Sequence, residues 1–198
     1  MRTLANADEN EMILAFLQAE IDSPRYGTLY NRVLMHNHLN RSGLIDKPDL
    51  SNSEENYYRK EVLRGVRGYA SNTALFANFP ANVLWQRVLI ETTDYPTLKY
   101  MNDSSWVAFS GGSRLVVDGA KNLERTAEHR DPKPNVNGIL RTMNEGKRFP
   151  PLIGVESHDG FLILIEGHSR ATAYVASATI AFEMFVGSSP SMRNWYAI

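Results

Sequence analysis

The sequence predicts an α/β (α+β) protein with an N-terminal helical lobe followed by a small mixed-sheet domain. Three observations lead to this prediction. Apolar residues recur at helical spacing in the first part of the chain, strand-like apolar runs begin at residue 83, and an Asp-Gly pair separates two such runs near the end. Spacings of about 3.6 and about 2 residues distinguish helices from strands. We therefore expect a helical lobe at residues 1–80 and a second domain at residues 81–198.

The helical lobe is predicted to contain three consecutive helices. Residues 6–21 place apolar side chains on one face, as an amphipathic helix does. Ser23-Pro24 opens a second helix, because proline is tolerated in the first helical turn. Ser51 and Glu54 form a capping-box pattern ahead of a third helix that ends near Val66.

Three basic residues, Lys60, Arg64 and Arg67, share one face of the third predicted helix. Acidic residues of the same lobe offset their charge. Such a stripe is typical of a solvated helix surface, and we interpret it in that way.

The middle of the chain gives the least definite prediction. Residues 83–90 favour a strand, with a short helix as the alternative. Apolar runs at residues 106–109 and 114–117 flank Ser110-Gly111-Gly112-Ser113, which predicts either a hairpin or a strand and a helix separated by a glycine turn. Residues 131–134 are predicted as a loop, and residues 136–145 as a short helix closed by a glycine.

The last part of the chain gives the clearest pattern. Strands are expected at residues 152–155 and 161–165, joined by a turn at Asp159-Gly160, because Asp-Gly between apolar runs indicates a hairpin. A helix rich in small residues follows the second strand, and another strand is expected at residues 180–186.

The composition excludes several classes of function. Lysine plus arginine (21) nearly cancels aspartate plus glutamate (22), and a net charge of −1 gives no overall electrostatic reason to bind nucleic acid or a membrane. Because the chain has no cysteine, it has no disulfides, thiolate metal sites or thiol nucleophiles. We recognise no signal peptide and no bilayer-spanning run, and expect a cytoplasmic protein without a membrane partner.

The most informative stretch is Glu166-Gly167-His168-Ser169-Arg170, named here the 166–170 box, which joins a strand directly to a helix. A glycine at such a junction exposes backbone N–H groups at the positive end of the helix dipole. Such a position suits an anion, and phosphate is the usual one. The box therefore predicts a phosphate-handling pocket.

Each polar member of the box has a functional and a structural interpretation. Arg170 is either a bidentate phosphate clamp or a helix-start arginine paired with a carboxylate. His168 either bonds a phosphate and transfers a proton, or packs at the strand end. Ser169 contributes to the cradle, caps the helix, or does both. Glu166 is a candidate Mg²⁺ ligand or catalytic base, or else an exposed strand-end residue.

Two further segments are weaker candidates. Ser113 and Arg114, after the glycine pair, could form a second anion site facing the box, although a glycine pair is more often only a turn. Residues 187–190 are expected to form a loop after the last strand, where α/β sheets often bind ligands.

The order of these elements resembles the ParB/sulfiredoxin-like superfamily over residues 139–186, about a quarter of the chain. In members of that superfamily a glycine-containing box ending in arginine binds the phosphates of CTP, ATP or another nucleotide. Carried over, Gly167, His168, Ser169 and Arg170 would form the phosphate cradle. Ser169 stands where the related kinases have a histidine, and His168 stands where sulfiredoxins have their cysteine, so reduction of sulfinic acids is not expected.

Two functional hypotheses follow from the box and from the resemblance. The first is a nucleotide-binding protein that takes Mg²⁺ with ATP or CTP and transfers or hydrolyses phosphate, chiefly through electrostatic positioning. The second is a non-catalytic module, with a nuclease as a variant, that uses the same pocket for nucleic acid or for a nucleotide-controlled partner, and it predicts salt-sensitive binding. Both leave a homodimer open.

Overall fold

The computed structural model describes residues 1–124 and 132–198 of the chain. Helices cover both faces of one mixed sheet, and the predicted α/β class is confirmed. The strands are β1 (Arg2–Ala7), β2 (Leu84–Glu91), β3 (Leu98–Lys99), β4 (Leu152–Glu156), β5 (Leu162–Glu166) and β6 (Ala181–Ser188). The α-helices are α1 (Glu9–Glu20), α2 (Gly27–His36), α3 (Ser53–Arg67), α4 (Ser104–Phe109), α5 (Val116–Lys121), α6 (Lys133–Asn144) and α7 (His168–Ala176).

The strands lie in the order β1-β2-β6-β4-β5-β3. Strand β4 pairs antiparallel with β5 and parallel with β6. The carboxyl ends of β4 and β6 therefore lie at the same end of the sheet along the strand direction, while β5 runs the other way and its carboxyl end lies at the opposite end. Both of these ends of the sheet carry candidate functional residues.

Alternate residues of the central strands face opposite layers of helices. Ile153, Val155 and Ile163 belong to a buried cluster with residues of α1, α2 and α3. Leu152 and Leu162 belong to a second cluster with residues of α5 and α7. This alternation fixes the strand register, because a shift by one residue would exchange the two faces.

The first 80 residues contain a strand in addition to the predicted helices. Strand β1 pairs antiparallel with β2, so the first helix begins at Glu9 instead of residue 6. Asp8 starts that helix, because its carboxylate accepts a hydrogen bond from the Glu11 amide at 2.9 Å. The boundary predicted at residue 80 falls in the loop before β2, and buried residues from both sides of it share one core.

Helix α3 has well-defined ends that explain its length. Its amino-terminal cap is Asn52, one residue after the predicted Ser51, and the Asn52 side chain accepts hydrogen bonds from the amides of Glu54 and Glu55 at 3.1 Å. Gly68 ends the helix with a φ of 81°, a left-handed conformation that glycine adopts without steric cost.

The structure corrects one middle element and supports another. Residues 84–91 form a strand, as expected. The runs on either side of the glycine pair form two short helices, α4 and α5, so the hairpin interpretation was wrong. Of the second interpretation, the helix after the glycine turn is present as α5, but the expected strand before the turn is the helix α4. Asp103 directs the first of them, because its carboxylate accepts a hydrogen bond from the Ser105 amide at 3.0 Å.

The end of the chain follows the sequence prediction closely. The β4–β5 hairpin, the helix after it and the last strand are all present. In the predicted loop at residues 131–134, Asp131 lies outside the described residues and Lys133 already begins α6.

Candidate anion-binding site

The 166–170 box forms the junction between β5 and α7, and its glycine is required there. Gly167 has a φ of 95°, which disfavours any side chain. A Cβ at this position would also lie 2.4 Å from the side chain of the buried Leu152. The tight turn therefore places α7 directly against the end of the strand.

The first turn of α7 has free hydrogen-bond donors. Gly167 occupies the cap position, and no side chain caps the helix. The expectation that Ser169 is the cap is wrong, because Ser169 lies inside the first turn. The amides of His168, Ser169 and Arg170 donate to no backbone or side-chain acceptor in the described part of the chain. Free amides at the positive end of a helix are suited to an anion.

Arg170 is turned inward and is only 6% exposed. Its guanidinium donates to the Glu166 carboxylate and to the carbonyl oxygen of Pro150. The geometry matches the structural interpretation of Arg170, a helix-start arginine paired with a carboxylate. Glu166 is only 16% exposed at its side chain, so both charges act mainly to hold the junction together.

His168 lies in a stack of rings at the start of α7. Its imidazole is 5.2 Å from the Trp106 ring and 6.1 Å from the Tyr100 ring, with small interplanar angles. The buried Nε2 atom has no hydrogen-bond partner in the described residues. Burial, followed by the charges of Arg67, Arg25 and Arg170, lowers the pKa of His168 to about 3. The imidazole is therefore neutral at physiological pH.

Two arginines of the helical lobe reach this site, although the sequence analysis assigned them no function. Arg67 is 12% exposed at its side chain, so its assignment to a solvated stripe is wrong. Its guanidinium lies 4.0 Å from the centre of the Tyr26 ring. Arg25 is exposed and lies 4.9 Å from the same ring. Both are close enough for their charges to act on His168.

Glu20 is the carboxylate that faces Arg67, at 3.5 Å from Nε. It also accepts a hydrogen bond from the Tyr30 hydroxyl at 2.8 Å. Burial raises the pKa of Glu20 to about 7, with Arg67 acting in the opposite direction. Near neutral pH this buried acid is partly protonated, and Arg67 is then only partly neutralised.

The sequence carried a signal for Arg67 that the pattern analysis missed. Glu20 falls at helical spacing on the same face as Phe16 and Leu17, and all three are buried. A carboxylate on an apolar face needs a cation or a hydrogen-bond donor, because burying an unpaired charge is costly. No comparable signal marked Arg25, which is exposed.

The second predicted anion site has a different role. The Arg114 guanidinium donates to the carbonyl oxygens of Tyr100, Ala197 and Ile198 at 3.0–3.2 Å. The Ser113 hydroxyl donates to the Asp118 carboxylate at 2.8 Å. The structure therefore uses both residues to hold neighbouring segments and does not bring their polar atoms to the 166–170 box.

The described residues do not form a ready metal site. No group of three or more His, Asp or Glu side chains in residues 1–124 and 132–198 is arranged to hold an ion. Glu166, the predicted Mg²⁺ ligand, is already bonded to Arg170. One carboxylate that is already paired with an arginine does not fit a protein-bound Mg²⁺, which needs several oxygen ligands.

Comparisons with protein families, with curated proteins and with solved structures found no match to this chain. The resemblance to the ParB/sulfiredoxin-like superfamily therefore stays a prediction. Across the ranges that the structure describes, every helix is too short or too polar to cross a membrane.

Proposed function

We propose that the protein binds a small phosphate-bearing molecule, with nucleotides as the leading class, at the amino end of α7. One observation carries the proposal: the uncapped first turn of α7 lies where the charges of Arg25, Arg67 and Arg170 act together on His168. The free amides and the guanidinium groups both place positive charge at this end of the helix, and both therefore favour a phosphate.

Arg25 and Arg67 have different parts in this proposal. Arg25 is exposed and pairs with no carboxylate in the described residues, so it is free to contact a ligand. Arg67 lies deeper, and its 3.5 Å contact with Glu20 is longer than a strong ion pair. Arg170 supplies charge from inside and keeps the turn in shape, and we assign it no direct contact.

The proposal is for binding and does not include phosphate transfer. A general base must be free to accept a proton near neutral pH. The Glu166 carboxylate is held by Arg170, and the depressed pKa of His168 makes its imidazole a weak base. A Mg²⁺ ion would arrive with ATP or CTP, bound mainly by the ligand's own phosphates.

A small phosphate ligand is favoured over nucleic acid because the basic stripe of α3 is largely neutralised. Lys60 pairs with Glu9 at 2.8 Å and Arg64 with Glu61 at 3.4 Å. Arg67, the third member, is mostly buried. Nucleic-acid binding draws on many cations along a continuous surface, and this face does not offer one.

Calorimetry with ATP, CTP, ADP and inorganic phosphate, each with and without Mg²⁺, tests the proposal. The wild-type chain should bind at least one of them. Arg25→Glu should weaken that binding by about tenfold or more, because a charge-assisted contact contributes roughly 1.5–3 kcal/mol.

Arg32→Glu is the matched control. Arg32 is also exposed, on α2, and its replacement by glutamate changes the net charge by the same amount. It should leave the affinity unchanged. The proposal is wrong if no ligand binds the wild type, or if both variants lose affinity equally.

A further inference from the structure

A second candidate site lies at the other end of the β4–β5 hairpin. A cavity of about 1020 Å³ opens beyond the carboxyl ends of β4 and β6. None of the residues of the 166–170 box lines it. Crevices outside the carboxyl ends of parallel strands are where open α/β sheets bind ligands. Residues 187–190 were expected to form a loop after the last strand, but β6 extends to Ser188, and Ser188, Ser189 and Pro190 form part of the cavity wall.

The cavity has a rigid floor and an apolar rim. Tyr69, Trp85 and Met192 form the buried floor, at 5%, 4% and 2% exposure. Leu84, at 76% exposure, projects from the rim. Because this large apolar side chain is already exposed, a ligand can pack against it without any rearrangement of the protein.

One wall of the cavity is unpaired backbone. Residues 81–83 line it immediately before β2 begins. Their N–H and C=O groups make no backbone hydrogen bond to any described residue. Strand β2 itself lies between β1 and β6, but the backbone groups of residues 81–83, which have no partner in the described structure, can hydrogen-bond to the backbone of a bound peptide.

The charges around the cavity are mixed and several are free. Arg193 and Glu156 are exposed, and neither meets an opposite charge among the residues that the structure describes. His158 is exposed beside them in the lining. By contrast, Lys60 and Glu9 already form a pair at 2.8 Å. The free groups therefore present one cation and one anion to a ligand.

We propose that this cavity binds an extended peptide that pairs with the backbone of residues 81–83. Its acidic side chain or terminal carboxylate lies against Arg193, a basic side chain faces Glu156, and an apolar side chain packs on Leu84. The inference is independent of phosphate binding at α7, because the two sites share no residues.

The combination of features selects a peptide over other ligands. A neutral sugar would form no ion pair with Arg193 or Glu156, and a polyanion would be repelled by the unpaired Glu156. A peptide brings its own backbone donors and acceptors to the unpaired segment at residues 81–83 and can carry both an acidic and a basic side chain.

The test begins with an array of short random peptides probed with the full-length chain. Peptides that bind are then measured in solution by fluorescence polarisation, with neutral oligosaccharides as competitors. We expect the selected peptides to carry an acidic residue. Arg193→Glu should weaken their binding about tenfold or more, while the exposed control Arg32→Glu should have no effect.

A backbone methylation scan of the best peptide tests the pairing itself. Methylating each peptide nitrogen in turn removes one N–H at a time. Strand pairing predicts loss of binding at alternate residues, since successive N–H groups point in opposite directions. A scan without alternation, selection of no peptide, equal loss with Arg32→Glu, or competition by oligosaccharides would each overturn the proposal.

Discussion

The two ends of the β4–β5 hairpin carry the same kinds of polar side chain in opposite states. At the α7 end, Glu166, His168 and Arg170 are largely buried, and the glutamate and arginine bond to each other. At the turn end, Glu156 and His158 are exposed, and the nearby Arg193 of the cavity is exposed as well.

This difference shows that residue type alone does not tell whether a charge is structural or available. Burial at the α7 end turns the predicted clamp into a support, and the proposed ligand contacts there are assigned to Arg25 and the backbone amides. Exposure at the turn end leaves side chains free, although no motif marks them.

Replacing Arg170 should show the largest difference between the two ends. Arg170→Ala leaves the Glu166 carboxylate mostly buried without its cation, which should lower the free energy of unfolding by roughly 3–5 kcal/mol. Arg193→Ala, at the exposed end, should change it by no more than about 0.5 kcal/mol. Urea denaturation of both variants measures this, and equal losses would remove the basis of the contrast.

Glu20 should make the buried charges sensitive to pH. Its pKa is about 7 in the folded protein against 4.5 for the free side chain, so the folded state holds the proton more tightly. Stability from this group is therefore present below pH 4.5 and is lost as the pH rises through 7. The loss amounts to about 3 kcal/mol.

Glu20→Gln should remove that dependence while keeping an acceptor for the Tyr30 hydroxyl. The free energy of unfolding of wild type minus that of the variant should fall as the pH rises through this window. Denaturation of both proteins at a series of pH values measures this difference. His168 is present in both, so its contribution to the pH dependence cancels. A difference that stays constant, or that rises with pH, would show that Glu20 is not buried as described.

The two glycines of this region provide a closely matched pair. Gly160, in the hairpin turn, and Gly167 have φ values of 82° and 95°, so alanine should cost each roughly 1–2 kcal/mol. Only Gly167 also meets a neighbour, Leu152, whereas a Cβ at Gly160 would meet nothing within 4 Å. Gly167→Ala should therefore cost about 1–3 kcal/mol more than Gly160→Ala. Thermal denaturation of the two variants would refute the close contact if they lost equal stability.

The sequence predicted the end of the fold well because its signals are local. Asp159-Gly160 specifies a turn, and the strands on either side alternate between two covered faces. Helix α4 was missed, and α5 was predicted only as one of two alternatives, because six residues are too few to show a helical period. Strand β1 was missed because it lies at the sheet edge, exposed and without apolar alternation.

The candidate site could be predicted only in part. The strand, glycine and helix of the box follow from neighbouring residues, and their position was correct. The direction of Arg170 and the burial of Arg67 depend on how the helical lobe packs on the sheet, which joins segments far apart in sequence. Local patterns do not contain that information.

The most direct test of phosphate binding at α7 is an NMR titration of the isotopically labelled chain with inorganic phosphate. Phosphate binding at α7 should produce saturable shifts of the backbone amides of His168, Ser169 and Arg170 and leave the amides of residues 156–158 at the turn end unchanged. Amides of α7 that do not move, or shifts that are confined to the turn end, would contradict it.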